Sequence, residues 1–299
     1  MTIGGFSFVR SGIEFSFPFI EAIKSILPIC DEFVIVVGDC TDGTREAIEK
    51  INSSKIKIID SIWDLSLREG GKILAQQTNL ALDELKTDWC FYIQGDEVIH
   101  ENDLPKILEA VKKFDADKNV EGLLFPWFHF WGSYHYIRTS RKAYRHEVRV
   151  FRNIKCVRSY KDAQGFRKYS SKENYERGEE GEKLKVKKVD AHVFHYGYAR
   201  PPKVMKKKDS FFHQLWHNDE WLKKNVSEKE NYEFEKIDRL EKFTGSHPTI
   251  MMPLVNAQDW KFEFNKKLSN EKTKDKFLRF IENISGIRIG EYKNYILLK

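Results

Sequence analysis

Two periodicities alternate along the first hundred residues. Residues 2–9 (TIGGFSFV), 32–37 (EFVIVV) and 89–93 (WCFYI) are near-continuous apolar runs of strand length, and residues 55–60 (KIKIID) alternate with period two. Between them, residues 18–28 place apolar side chains at helical spacing, bounded by Pro18 and Pro28. Residues 70–85 repeat that spacing with Ile73, Leu74, Leu80, Ala81 and Leu85. The turn GDCTDGT (38–44) leads into a short helix over 45–52, which Thr44 can cap. Strands alternating with helices predict βαβ units and an open, mostly parallel central sheet flanked by helices, an α/β fold. Ligands of such sheets bind beyond the carboxyl ends of the strands, which here singles out residues 7–12, 38–42 and 94–97.

Further along, a helix is expected over 105–114, an aromatic strand or hairpin over 122–132 (GLLFPWFHFWG) and a strand over 147–153 (EVRVFRN). Residues 159–183 are polar and charged and read as a loop, and residues 189–198 as a strand entering a turn. From Pro201 the pattern turns helical, over 203–224 and again over 228–243, and residues 271–299 mix charge with interleaved apolar positions. The expected division is a catalytic-type domain over 1–200 and a mainly helical C-terminal extension over 201–299, with no internal repeat.

Composition narrows the class. The chain has 299 residues, 41% hydrophobic and 32% charged, enough for one large α/β domain plus an extension. Its formal charge of +6 favours anionic ligands such as phosphates. No zinc-finger spacing, RNA-recognition aromatic signature or long basic arm is present, so no nucleic-acid partner is expected. Cys30, Cys40, Cys90 and Cys156 lie far apart and read as reduced thiols. No leader pattern opens the chain and no apolar run has spanning length, so a cytoplasmic protein is expected, at most peripheral to the inner face of a membrane.

The sharpest chemical feature is YIQGDEVIH (92–100), an apolar strand running straight into Asp96 and Glu97. Carboxylates there suit a divalent cation that clamps a diphosphate; a turn former or a helix-start carboxylate is the plain alternative. Three blocks in order, FVIVVGDCTDGT, KILAQQTNLALDEL and TDWCFYIQGDE, make the chain resemble the family 2 glycosyltransferases of the GT-A fold. The resemblance is clear over residues 1–100, patchy to 200 and absent beyond.

The resemblance implies a role for each of several residues. By it, Asp96 matches the metal-binding Asp of the family's D-x-D motif, Glu97 follows it, and Gln94 replaces the first acid, with Gly95 between. Asp39 matches the nucleotide-binding acid, one position late because Gly38 fills the expected place; turn chemistry is the alternative for Asp39 and Asp42. Phe8 and Arg10 fall where the family wraps base, ribose and phosphate, and Lys72 where some members touch the diphosphate. His195, in AHVFHYGYARPP (191–202), takes the place of the histidine that completes the metal shell, with Arg200 beyond it as a phosphate contact. Asp162, in SYKDAQGF (159–166), stands where the family's general base falls, with Glu147, Glu179 and Glu180 as competitors.

The implied reaction moves a sugar from a UDP- or GDP-linked donor to an acceptor hydroxyl, with Mn²⁺ or Mg²⁺ and with inversion. The acceptor would be a saccharide or lipid-linked, as in cell-surface polysaccharide or glycolipid synthesis. Trp127, Phe128, Phe130, Trp131, Tyr134 and Tyr136 could form an acceptor wall or pack the sheet against the C-terminal helices. Lys206, Lys207 and Lys208, with Phe211, Phe212, Trp216 and Trp221, could rest on an anionic membrane surface or form a solvated helix face. Two rival readings remain: a nucleotidyltransferase, and a non-catalytic scaffold of the same fold that binds sugar or nucleotide.

Overall fold

The computed structural model describes residues 1–67 and 70–299. The first half runs β1 (Ile3–Val9), α1 (Phe19–Ile26), β2 (Glu32–Gly38), α2 (Thr44–Glu49), β3 (Ile56–Ser61), α3 (Lys72–Leu82), β4 (Trp89–Tyr92), β5 (Glu97–Ile99) and α4 (Leu104–Phe114). Strands β3, β2, β1 and β4 lie side by side, all parallel. Phe6, Phe33, Val34, Val36, Phe91 and Tyr92 are buried, which explains why these strands read as continuous apolar runs rather than alternating ones. Helix α1 seats Phe19, Ala22, Ile23 and Ile26 on one side of this sheet, and α3 seats Ile73, Leu74, Ala81 and Leu82 on the other.

Beyond α4 the sheet turns mixed. Strands β6 (Gly122–Trp131), β7 (Tyr136–Arg138), β8 (His146–Arg152), β9 (Val157–Tyr160) and β10 (Gly165–Lys168) precede α5 (Lys172–Glu176), β11 (Glu182–Lys188) and β12 (Val193–Tyr198). Strand β8 is antiparallel to both β4 and β6, and β12 lies between β6 and β5. The remainder comprises α6 (Pro202–Gln214), α7 (Asp219–Asn225), β13 (Leu240–Lys242), α8 (Met252–Asn256), α9 (Thr273–Ser285) and β14 (Tyr295–Leu297). Strand β13 pairs with β7, and β14 with β11.

Two expectations are corrected. Residues 159–183 are not a loop: they contain most of a β9–β10 hairpin, α5 and the start of β11. The charged outward positions of β11 (EKLKVKK) mask the period-two burial of Leu184 and Val186. Residues 228–243 are not helical either. Phe234, Ile237 and Leu240 mimic helical spacing, but they fill a cluster with Trp131, Tyr136 and Met205 and the segment ends in β13. The aromatics of β6 are largely packing: Phe130 stacks on Tyr196 at 4.6 Å, and Trp131 stacks on Tyr198 at 4.3 Å.

Candidate active site

Strand β4 ends at Tyr92, and the chain then makes a tight turn in which Glu97 N–H donates to the Gln94 carbonyl at 3.0 Å. Asp96 lies in the turn and Glu97 opens β5, and the two acids have separate partners. Glu97 faces inward: it is fully buried, and both its oxygens accept from Arg149, at 2.8 Å each. Arg149 also donates to the Gln164 carbonyl at 3.1 Å. Glu97 is thus engaged in a structural ion pair, not exposed as the metal ligand the sequence suggested. Gln94 donates to the Ala163 carbonyl at 3.1 Å, a bond that an aspartate there could not make. Turn and hairpin loop are therefore tied through Ala163 and Gln164, next to Asp162 in the same loop.

Asp96 faces the cavity. The Tyr196 N–H donates to its carbonyl at 2.7 Å, which brings β12 alongside. Lys208 approaches Oδ2 at 3.2 Å and Arg200 lies 4.0 Å from the same oxygen, while His195 Nε2 is 3.7 Å from Oδ1. Burial alone would raise the Asp96 pKa, but the neighbouring charges, that of Lys208 foremost, outweigh it and hold it well below the usual range. Burial and the nearby Arg200 charge push Lys208 down to about 8.

The histidine's tautomer follows from its neighbours. His129 Nε2 lies 2.8 Å from the Tyr144 carbonyl, which can only accept, so Nε2 carries the proton. Burial pushes His129 down to about 3, so it is neutral and its Nδ1 is a lone pair. That lone pair, 3.2 Å from His195 Nδ1, must accept from it. Burial also lowers His195, leaving its Nε2 unprotonated and facing Asp96 Oδ1. In that neutral form His195 Nε2 and Asp96 Oδ1 are two acceptor atoms facing each other at 3.7 Å.

That arrangement fits a cation. Two protein ligands at about 2.0–2.2 Å from one ion can lie 3.7 Å apart, the separation of Asp96 Oδ1 and His195 Nε2. Gly197 keeps the space clear, since a Cβ there would stand 2.5 Å from His195 Nε2 and 3.1 Å from Asp96 Oδ2. Among the described residues no group of three or more His, Cys, Asp or Glu side chains is placed to hold a metal. Asp96 and His195 could hold an ion only if it drew further ligands from outside these two side chains.

Two adjoining cavities, of about 90 and 320 Å³, share Leu74, Gln94, Asp96, Asp162 and Phe212. Phe8, Arg10, Gly95 and Trp63 line the smaller, and His195, Tyr144 and Trp216 the larger. Arg10 lies 5.4 Å over the rings of both Trp63 and Phe211. Asp39 lines neither cavity; its carboxylate accepts from the Trp63 N–H at 3.0 Å and pairs with Arg10 at 3.3 Å, so it orients the two residues that do. Lys72 opens α3, is exposed, and lines neither cavity. Arg200 is buried, donating to the Phe15 carbonyl at 2.5 Å.

Asp162 sits between Lys161 (φ 55°) and Ala163 (φ 63°), both in the left-handed region that costs a residue with a Cβ about 1 kcal/mol or more. Burial raises its pKa. Glu147, one of its competitors, is pushed up to about 7 but lines neither cavity.

The sequence reading missed Lys208 as a site residue. It lies inside the cleft, its ammonium 4.9 Å from the Phe17 ring and 5.3 Å from Phe212. Phe211, Phe212 and Trp216 also face the cavities, so these residues of α6 and its end are not laid out on an outer membrane-facing surface. The spacing Met205, Lys208, Phe212 on one helix face was the available signal. The end of α6 also reaches α3, where Gly71 N–H donates to the Leu215 carbonyl at 3.3 Å.

A family model described as glycosyl transferase family 2 matches residues 19–175. A search of curated proteins found no match. Among solved structures, the crystal structure of S. aureus TarS 1-349 in complex with UDP aligns at 16% identity and TM-score 0.33, over 47% of this chain and 39% of that one. A crystal structure of S. aureus TarS aligns at 13% identity and TM-score 0.38, over 71% of this chain and 39% of that one. The chain thus spans about two fifths of the length of these two structures.

Proposed function

We propose a reaction on one premise: the chain belongs to glycosyl transferase family 2. In this reading a sugar passes from a nucleoside diphosphate to an acceptor hydroxyl. The observation that carries it is the environment of Asp96, with Lys208 on one oxygen and the His195 lone pair facing the other, in a cavity shared with Asp162.

Phe8, Arg10 and Trp63 would hold the nucleoside end, and Lys208 would face the diphosphate, with the buried Arg200 adding positive charge behind Asp96. Asp96 and His195 would hold Mn²⁺ or Mg²⁺, which when bound neutralises charge on the diphosphate. Asp162 would take the proton of the acceptor hydroxyl as its oxygen bonds to the anomeric carbon. The bond from that carbon to the diphosphate oxygen breaks, the electron pair leaves with the nucleoside diphosphate, and the configuration inverts. The raised pKa of Asp162 makes it a stronger base than an ordinary aspartate once ionised.

Calorimetry with UDP and GDP, each with and without Mn²⁺, followed by transfer assays with the matching nucleotide sugars, tests the reading. Binding of one nucleotide, tighter with Mn²⁺, is expected. Turnover of a nucleoside triphosphate would favour a nucleotidyltransferase, and failure of both nucleotides to bind would favour a non-catalytic scaffold.

A further inference from the structure

Helix α9 is built the opposite way round from an ordinary surface helix. Such helices turn their apolar stripe to the core and their charges to water. In α9, Phe277, Phe280 and Ile284 are 62%, 62% and 73% exposed, and Ile287, just past the helix, is 65% exposed. Their spacing of three, four and three residues makes one continuous outward stripe. The inward side is held by charge: Glu282 pairs with Arg141 and Arg145, and Arg279 pairs with Glu271 at 2.8 Å. Just beyond the helix, Arg288 donates to the Ser140 and Ala143 carbonyls, both at 3.1 Å.

Within residues 271–293 the exposed charged side chains have one sign. Lys272, Lys274, Lys276 and Lys293 are exposed. The acids nearby are engaged or partly covered: Glu271 and Glu282 are paired as above, Glu291 pairs with Arg145 at 2.8 Å, and Asp275 is half-buried. An apolar ridge bearing two phenylalanines, fringed by ammonium groups, matches the boundary between anionic headgroups and acyl chains. Among the described residues no helix is long and apolar enough to cross a membrane, so this surface would lie on the bilayer, not span it.

We propose that α9 docks the protein on an anionic lipid surface, with Phe277, Phe280, Ile284 and Ile287 entering the headgroup boundary and the flanking lysines meeting lipid phosphates. This surface is separate from the nucleotide cleft, and its occupancy needs no nucleotide.

Co-sedimentation of the full chain with phosphatidylcholine vesicles, with and without about one-third phosphatidylglycerol, tests this directly. Binding is expected to the mixed vesicles and to weaken with salt. F280S/I284S should lower the bound fraction at least about tenfold, and K274S/K276S should remove the preference for anionic lipid. These side chains are exposed, and unchanged melting would show that the variants are folded. Absence of wild-type binding at low salt, or binding that F280S/I284S leaves intact, overturns the proposal. So does a dimer in sedimentation equilibrium that F280S/I284S dissolves, because the stripe would then be covered by a second copy. Nucleotide calorimetry without vesicles reads the proposed reaction separately, so either idea can fail alone.

Discussion

Two regions of this molecule set cations beside a cavity, and they differ in how those cations meet their acceptors. The larger cavity, about 470 Å³, is lined by Arg138, Arg141, Arg145, Arg239, Arg279 and Arg288. Each of these has an acceptor of its own: Asp238, Glu282, Glu291, Glu241, Glu271 and two backbone carbonyls. At the cleft, Lys208 and the buried Arg200 behind it converge on Asp96, and each also donates to a backbone carbonyl, Lys208 to Gly197 and Arg200 to Phe15. The first arrangement is a staple that fixes α9 and the segment 138–145. The second sets two cations on one carboxylate, and under the proposed function a diphosphate would be a further acceptor for Lys208. A count of cations would rank the arginine cavity first; matching each cation to its acceptors tells the two regions apart.

The sharpest way to break this contrast is at the base. Asp162→Asn should lower kcat/KM by about 10²–10⁴-fold. Because burial raises the Asp162 pKa and only the ionised form accepts a proton, the acid limb of the wild-type pH profile should lie above the usual aspartate range and vanish in the variant. The same shift disfavours the ionised form in the folded state. Its cost is therefore full above the folded pKa and absent below the unfolded one, so Asp162→Asn should melt higher at pH 7, with the gain fading as pH falls. Asp96→Asn should cost about 10²–10³-fold in kcat, measured under saturating donor.

His129→Phe should weaken Mn²⁺ binding by about 10–100-fold in calorimetry, because nothing then fixes the His195 tautomer, while His129→Asn, which keeps an acceptor, restores part of it. Lys208→Met should weaken nucleoside diphosphate binding by about tenfold or more, the loss of one charge-assisted contact. The smallest effect belongs to the staple: Arg145→Ala, at a side chain 39% exposed, should change stability by about 1 kcal/mol or less in urea titration and leave nucleotide binding unaltered.

Much of the first hundred residues was legible because its periodicity reports burial directly. Strands β1, β2 and β4 are covered on both faces and read as apolar runs, and the rule of carboxyl ends pointed to Asp96 before any contact was known. Legibility failed where burial is carried by few residues. The period of β11 is hidden among lysines, and Phe234, Ile237 and Leu240 carry helical spacing without a helix. Site assignments failed where long-range pairing decides the role. Nothing near Glu97 in sequence announces Arg149, 52 positions away, and nothing near Asp96 announces Lys208, 112 positions away. The relay from Tyr144 through His129 to His195 joins three segments that the β6–β8 and β6–β12 pairings make neighbours.

Helix α6 brings Lys208 to Asp96, supplies Phe211 and Phe212 to the walls, and is latched at its far end onto Gly71. A rigid helix cannot swing its aromatic side chains outward and leave its ammonium behind. Widening the entrance by moving this helix would therefore strip Asp96 of its principal counter-charge in the same motion, so admission of a ligand and the electrostatic state of the cleft are mechanically geared together.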